Sequence, residues 1–456
     1  MSKKKKCLSP DDPLYHEGHK LKSRRDFLAQ GFIAGSAYTF APNIFGMLGA
    51  NPALAAEPPC SSMTPAAAGK TPVIIFDFAG GANFAGSNVM VGGAGGQSDF
   101  LADYTTLGLP PDMHPSMAGQ LDTELGLAFH SDSAILRGLR TTTSTGVRAK
   151  MDGGIFCTSS SDDTSNNPHN PAFWLNKAGS TGALSQLAGT RNTIAGGRSS
   201  APSQSIDPTT QPVTLTRPQD ALGLVNVGKL SELFNDAKAQ KIMKAIERIS
   251  EQKLQSLSAQ SLPEQIKTLV SCGYIDSQSL INQYNAEALD PRLDTQVTTA
   301  FDNLGNSDQR KTATIAKMVL DGLIGVGTVE KGGYDYHNKT RGTGEQRDEA
   351  AGALIGRVIE LAALKQKDIM IYIITDGSVA GKNEVDNSAA GRGKYIWTGD
   401  SGQRSSAFML LYRHAGRATL RTGKRQIGNF KSSGSVDNNA GATSNSVTNL
   451  AKAIVA

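Results

Sequence analysis

DIMIYIIT, residues 368–375, is the clearest strand signal of the sequence. Its length and its isoleucines predict a parallel strand that is buried on both faces. Residues 72–78, PVIIFDF, repeat this pattern near the other end of the chain. Helical periodicity occupies residues 309–323 and 346–366, between the two runs. Together these segments predict an α/β fold with a mostly parallel central sheet.

The composition of successive segments predicts the domain organisation. Residues 1–55 have the composition of a cleaved export signal, and residues 56–71 are rich in Pro, Ala and Ser, which is typical of a flexible tether. Residues 72–456 are long enough for a single large α/β domain. Within them, apolar residues recur at three- and four-residue steps over 228–306, which predicts an inserted helical subdomain.

The remaining segments carry weaker signals. Residues 112–129 have a helical pattern, and the short apolar run at 133–139 is interpreted as a further strand. Residues 141–171 are dense in Ser, Thr, Gly and Asn, which predicts a long surface or active-site loop.

The N-terminal segment contains a pair of arginines, Arg24 and Arg25, directly before a mostly uncharged run over 27–50. The run ends at a small-residue site whose last position is Ala55, the predicted cleavage point. Paired arginines in this context predict a twin-arginine signal, and hence the Tat translocase as a partner and a periplasmic or extracellular location. Because this route carries folded proteins, a cofactor or partner loaded before export is expected.

Charge and composition limit the partners. Residues 1–55 contain eight Lys or Arg and four acidic residues, so they supply +4 of the net charge of +5 and leave about +1 for the mature chain. A nearly neutral chain argues against nucleic acid as a partner. The mature sequence has no apolar run long enough for a permanent membrane span. Its cysteines, Cys60, Cys157 and Cys272, allow one disulfide and a spare thiol, or three unpaired thiols.

Acidic residues and one histidine follow several of the strand-like runs. If those strands are neighbours in one parallel sheet, the side chains meet at its carboxyl edge, where they would repel one another without a cation. Their oxygen and nitrogen atoms suit a divalent metal such as Zn, Mn or Ca. For each aspartate alone, turn capping is the competing interpretation. The predicted metal ligands are Asp77, Asp335, His337, Asp376 and Asp400.

The segment GGYDYH at 332–337 resembles the Gly-Gly-Trp-Asp-Thr-His signature of a bacterial family known as domain of unknown function 1501. Members of that family are commonly exported by the twin-arginine route and are related to the alkaline phosphatase and sulfatase superfamily. The order of elements over residues 72–420 is also similar. The resemblance implies an alkaline-phosphatase-like three-layer sandwich with a helical insertion, and a metal-dependent hydrolase of phosphate or sulfate esters.

The sequence differs from the motifs of this family at two positions. Ser401 stands where the resemblance implies a metal-binding histidine, and Asn83 stands where it implies an aspartate. The nucleophile is not identified, and Ser87, Ser144 and Thr145 are candidates by position only. The alternative to an enzyme is therefore a non-catalytic relative that binds an envelope or secretion-associated partner, and a third hypothesis is a Ca-binding structural protein.

The twin-arginine assignment predicts the effect of Arg24→Lys combined with Arg25→Lys. Because the translocase recognises the arginine pair itself, the double variant should accumulate as an uncleaved precursor in the cytoplasm. Cell fractionation followed by immunoblotting measures this. Normal appearance of the mature form outside the cytoplasm would contradict the assignment.

Overall fold

In a computed structural model of the chain, the described residues are 70–160, 168–191, 212–223, 289–336, 339–375, 377–419 and 424–455. All of them belong to one compact unit. The predicted signal peptide, most of the tether, and residues 228–288 of the predicted helical subdomain lie outside the described residues. Among the helices that are described, none has both the length and the apolar character that a bilayer crossing needs.

The described residues form a mixed α/β fold. Its strands are β1 (Val73–Ala79), β2 (Leu121–Asp122), β3 (Phe129–His130), β4 (Met151–Cys157), β5 (Ser185–Gly189), β6 (Val213–Thr214), β7 (Ile324–Gly332), β8 (Ile369–Thr375), β9 (Val379–Val385), β10 (Tyr395–Asp400), β11 (Ser406–Tyr412) and β12 (Gln426–Ile427). Its α-helices are α1 (Ala134–Thr142), α2 (Thr145–Arg148), α3 (Ala172–Lys177), α4 (Pro218–Gly223), α5 (Thr295–Ala300), α6 (Ser307–Leu320), α7 (Arg341–Leu364) and α8 (Val447–Ala453).

Eight of these strands form the central sheet, in the order β12-β4-β11-β8-β1-β7-β5-β6. Every neighbouring pair is parallel except the two pairs that β11 makes with β4 and β8. The largely parallel α/β sheet predicted from the sequence is therefore confirmed. Two short antiparallel pairs, β2 with β3 and β9 with β10, lie outside this sheet.

Strand β1 lies inside the sheet and is buried along its whole length. Its residues alternate between two apolar cores, which explains why the strand is continuously apolar rather than alternating. Ile74, Phe76 and Phe78 belong to the core that contains α1, α6 and α7. Val73 and Ile75 belong to the core on the other face, with side chains of α3 and α8. Helices therefore cover both faces of the sheet.

Three local predictions are wrong. Residues 134–139 belong to α1 rather than to a strand, and Ser133 caps this helix by accepting a hydrogen bond from Leu136 N at 3.2 Å. The predicted helix over 112–129 is instead loop with the short strands β2 and β3. The predicted loop over 141–171 contains β4, whose seven residues are all buried. Pairing with β11 stabilises this strand despite its two glycines.

Helix α1 packs very closely on α7 through glycines. A Cβ added to Gly352 would lie 2.1 Å from Ile135 O, and one added to Gly138 would lie 1.9 Å from Glu349 O. Both distances are far below van der Waals contact, so the two backbones can approach only because these positions have no side chain. Glycine is therefore required at this crossing for packing, although it weakens each helix intrinsically.

A buried ionic cluster lies at the start of α7. Glu345 accepts hydrogen bonds from Lys394 Nζ at 2.9 Å, from Arg341 Nη2 at 2.9 Å and from Arg137 Nη2 at 3.1 Å. Burial alone would raise the pKa of Glu345, but the positive charges of Lys394 and Arg341 outweigh it and lower the pKa. The cluster therefore connects α1, α7 and the loop before β10.

Asp348, one turn further along α7, is buried, and within the described residues its hydrogen bonds come from neutral donors. Its carboxylate accepts hydrogen bonds from Asn88 Nδ2 at 2.8 Å and from the Tyr336 hydroxyl at 3.0 Å. Burial raises the pKa of Asp348 to about 7, against these two hydrogen bonds, and the charge of Glu345 adds to the rise. This carboxyl group therefore changes its charge near neutral pH inside the fold.

The close helix crossing predicts that Gly352→Ala destabilises the protein by about 1 to 3 kcal/mol, because the added methyl group forces α1 and α7 apart. Urea unfolding of the mature protein measures this. Gly146→Ala is the matched control: this helical glycine in α2 has no atom within 4 Å of an added Cβ, so the variant should be neutral or slightly stabilised. Equal stabilities of the two variants would contradict the close crossing.

The raised pKa of Asp348 predicts a specific pH dependence. Between about pH 4 and pH 7 the folded state keeps a proton that the unfolded state has released, so this group makes stability fall as the pH rises through that interval. The loss is on the order of 4 kcal/mol for a shift of this size. Asp348→Asn removes it, so the free energy of unfolding of the variant relative to wild type should rise across the same interval and level off above pH 7. Parallel stability profiles would show that Asp348 is already ionised at the lower pH.

Candidate functional site at the carboxyl edge

The strands that lead to Asp77, to Asp335 and His337, and to Asp376 are neighbours, whereas Asp400 ends β10 outside the central sheet. β8, β1 and β7 pair in parallel, so their carboxyl ends meet at one edge of the sheet. In this register Asp77 lies beside Glu330 of β7 on one side and beside Ile374 of β8 on the other. Ligands of open α/β sheets bind at this edge. We call it the carboxyl edge.

Asp77 and Glu330 are adjacent acidic residues on the same face of the carboxyl edge. Asp77 is fully buried, and the Glu330 side chain is 6% exposed. Arg191, just after β5, donates from Nη1 to Glu330 Oε1 at 2.6 Å. This hydrogen bond, the charge of Glu330 and the charge of Asp77 all raise the pKa of Arg191. One arginine therefore interacts with both acidic residues, and it remains 60% exposed to solvent.

His169 is held against the end of β8. Its Nδ1 lies 2.8 Å from Thr375 O, and because a carbonyl oxygen only accepts, Nδ1 carries the proton and donates. Burial lowers the pKa of His169 to about 4, so the ring is neutral at pH 7. In this tautomer Nε2 carries the lone pair. Such a nitrogen can accept a proton or coordinate a metal.

Asn170 attaches the His169 segment to β7. Its Nδ2 donates to Thr328 Oγ1 at 3.3 Å, and its Oδ1 accepts from Ala172 N at 2.9 Å, at the start of α3. Thr328 lies two residues before Glu330 on the same strand, so both side chains are on the same face. The segment over 168–171 therefore covers the ends of both β7 and β8.

Thr375 ties the end of β8 to the turn after β1. Its hydroxyl donates to Phe78 O at 2.9 Å and accepts from Ala82 N at 2.8 Å. Within that turn Gly80 has φ +121°, and a Cβ there would lie 2.7 Å from Asp335 N. The backbone of Asp335 is therefore held directly against the turn, while Asp335 itself is exposed to solvent.

The segment that contains Asp400 returns to the same edge. Asp400 ends β10 opposite Val379 of β9, and it is exposed. The next residue, Ser401, donates from its backbone N to Ser378 O at 2.7 Å. Asn83 Nδ2 lies 3.4 Å from both Ser378 Oγ and Val379 O. The two positions that depart from the family motifs, Asn83 and Ser401, thus both contact Ser378.

The described residues alone do not form a metal site: within them no three or more His, Cys, Asp or Glu side chains are placed to hold an ion. Two of the five predicted ligands, His337 and Asp376, lie outside the described residues. Among the other three, Asp77 is buried at the strand end whereas Asp335 and Asp400 are exposed. A Zn, Mn or Ca centre would therefore need ligands from His337 or Asp376, and the metal stays a prediction.

The hydroxyl groups named as candidate nucleophiles have structural contacts. Ser87 is buried and donates to Leu107 O at 2.6 Å, and Ser144 is the N-cap of α2. Thr145 Oγ1 accepts from Arg148 Nη2 at 3.0 Å. Cys157 is a buried free thiol whose pKa is raised by burial, which removes it as a reactive group. These contacts give Ser87, Ser144 and Thr145 structural roles.

Sequence reasoning does not place Arg191 or Glu330 at the site, and it discounts His169 because its spacing to His337 is unlike that of metal ligands. The signal for His169 was the motif Asn-Pro-His-Asn-Pro at 167–171, in which two prolines bracket a polar pair within a long polar segment. Arg191 and Glu330 carried no comparable signal, because their relation depends on the pairing of β5 with β7.

No family model matches the chain, and no curated protein matches it. The geometry of the carboxyl edge is therefore the basis on which a function is proposed.

Proposed function

We propose that the protein is a metal-dependent hydrolase of phosphate or sulfate esters with an alkaline-phosphatase-like three-layer fold, exported by the Tat translocase. The observation that carries the proposal is the fully buried Asp77, which lies beside Glu330 at the carboxyl end of a central parallel strand. Burying a carboxylate is costly, and buried acidic groups are frequent at sites that hold a cation or do chemistry. The exported protein would act in the periplasm or outside the cell.

The residues of the carboxyl edge have distinct roles in this proposal. A bound divalent metal would polarise the ester and make bound water more acidic. Asp77, with His337 and Asp376 from the predicted set, would hold it. His169 would accept a hydrogen bond from the attacking hydroxyl or water through Nε2, since its Nδ1 is fixed by Thr375 O. The exposed Arg191 would balance the charge of Glu330.

One observation favours the alternative, a non-catalytic protein that binds an envelope or secretion-associated partner. Arg191 already interacts with both Asp77 and Glu330, so part of their negative charge is compensated without a metal. A carboxylate paired in this way can serve structure alone. The two hypotheses differ in a measurable property, because only the hydrolase turns over an ester.

The proposal predicts the effect of Asp77→Asn on the purified exported protein. Hydrolysis of p-nitrophenyl phosphate or p-nitrophenyl sulfate should fall roughly 100-fold, because the variant loses the charge that holds the metal. Bound metal, measured by elemental analysis, should fall with it. Circular dichroism and thermal unfolding establish whether the variant folds, and Glu330→Gln provides a second change at the same pair.

Asp368→Asn is the matched control, since Asp368 lies just before β8 at the opposite edge and pairs with the exposed Arg413. It should leave both activity and metal content within about twofold of wild type, as for surface substitutions. Absence of hydrolysis and of bound metal in the wild-type protein would reject the hydrolase in favour of the binding protein. Full activity of a folded Asp77→Asn variant would reject this location of the site.

A further inference from the structure

Arg404 also lies at the carboxyl edge, and it is not one of the predicted metal ligands. It ends the short helical turn Gly402–Arg404 between β10 and β11. Because β11 is antiparallel to β8, its first residue, Ser406, lies at the edge where β8 ends. The position of Arg404 therefore places a positive charge near Ser378 and the turn after β1.

The guanidinium of Arg404 lacks a counter-charge within the described part of the chain. Its Nη1 donates to Ser401 Oγ at 2.8 Å, but its buried Nε has no acceptor among the described residues. Burial lowers the pKa of Arg404, and no carboxylate contributes to the shift. In contrast, the buried Arg341 pairs with Glu345 at 2.9 Å. Arg404 is partly buried, and within the described residues its Nε–H has no acceptor, which an anion could supply.

The groups beside Arg404 are neutral and polar. Ser401, which accepts from Arg404, is hydrogen-bonded through its backbone to Ser378 O. Ser405 and Ser406 follow directly, and both hydroxyls are buried with no hydrogen-bond partner among the described residues. The Ser401 hydroxyl, which contacts the guanidinium, and the unused N–H of Arg404 are donors of the kind that bind phosphate and sulfate oxygens. Buried hydroxyl groups that lack hydrogen-bond partners also favour a bound ligand over solvent.

We infer that Arg404, with the Ser401 hydroxyl, binds a tetrahedral oxyanion, phosphate or sulfate, at the carboxyl edge. This site would bind the oxyanion group of the proposed ester substrate. It rests on the proposed function only in that the oxyanion is part of an ester. Binding of the free anion requires no turnover. It can therefore be tested separately from hydrolysis.

Isothermal titration of the purified exported protein with inorganic phosphate, and separately with sulfate, at fixed ionic strength tests the site. The wild-type protein should bind at least one of the two anions saturably, and Arg404→Met should weaken that binding at least tenfold. Arg404→Lys keeps the charge but loses the planar fork, so it should bind several-fold more weakly than wild type. If Arg404→Met does not fold, this lysine variant still tests the inference, and wild-type affinity in it would overturn the assignment.

Arg413→Met is the matched control because Arg413 follows the other end of β11, where it pairs with Asp368, and its loss changes the net charge equally. Its anion affinity should equal that of wild type, and an equal loss in both methionine variants would show a general charge effect and overturn the site.

A wild-type protein that binds neither anion would also overturn it. Anion binding without hydrolysis would uphold the site and reject only the hydrolase. Hydrolysis by Arg404→Met with an unchanged KM would uphold the hydrolase and reject the anion site at Arg404.

Discussion

The parallel pairing of β1 with both β7 and β8 is the constraint on which the rest of the structure depends. It buries β1 on both faces and fixes which of its side chains enter which core. A slip of one residue would exchange Asp77 with Phe76 or Phe78, moving the carboxylate into the apolar core and a phenyl ring to the carboxyl edge. The register of three strands therefore determines both the stability of the fold and the position of its most deeply buried acid.

Buried charged groups are compensated to different degrees in different parts of the molecule. Glu345 is surrounded by Lys394, Arg341 and Arg137, so its charge is compensated within the fold. Asp348 accepts hydrogen bonds from the neutral donors Asn88 and Tyr336 and keeps its proton up to about pH 7. In the described residues of the carboxyl edge, Arg191 is shared between two acids, whereas Arg404 has none. This imbalance supports assigning ligand binding to that edge rather than to the helical layer.

The sequence was a good guide where a segment's structure depends on its own residues. The apolar runs that became β1 and β8, and the periodic segments that became α6 and α7, were all predicted. Helix α1 and strand β4 were not predicted. The apolar residues of α1 fit a strand as well as a helix until the Ser133 cap is seen, and β4 contains Gly153 and Gly154 and depends on its partner β11. At the candidate site, the place of Asp77 follows from its strand, whereas that of His169 depends on its contact with Thr375, 206 residues away in the chain.

Anomalous diffraction from crystals of the exported protein containing tungstate, a heavy tetrahedral oxyanion, tests the central claim most directly. The claim is that the carboxyl edge of β8, β1 and β7 is the functional site of this fold. An anomalous peak is expected at that edge, within hydrogen-bond distance of the Arg404 guanidinium and close to the turn that follows Asp77. An ordered carboxyl edge without a peak, in crystals that bind tungstate elsewhere, would contradict it.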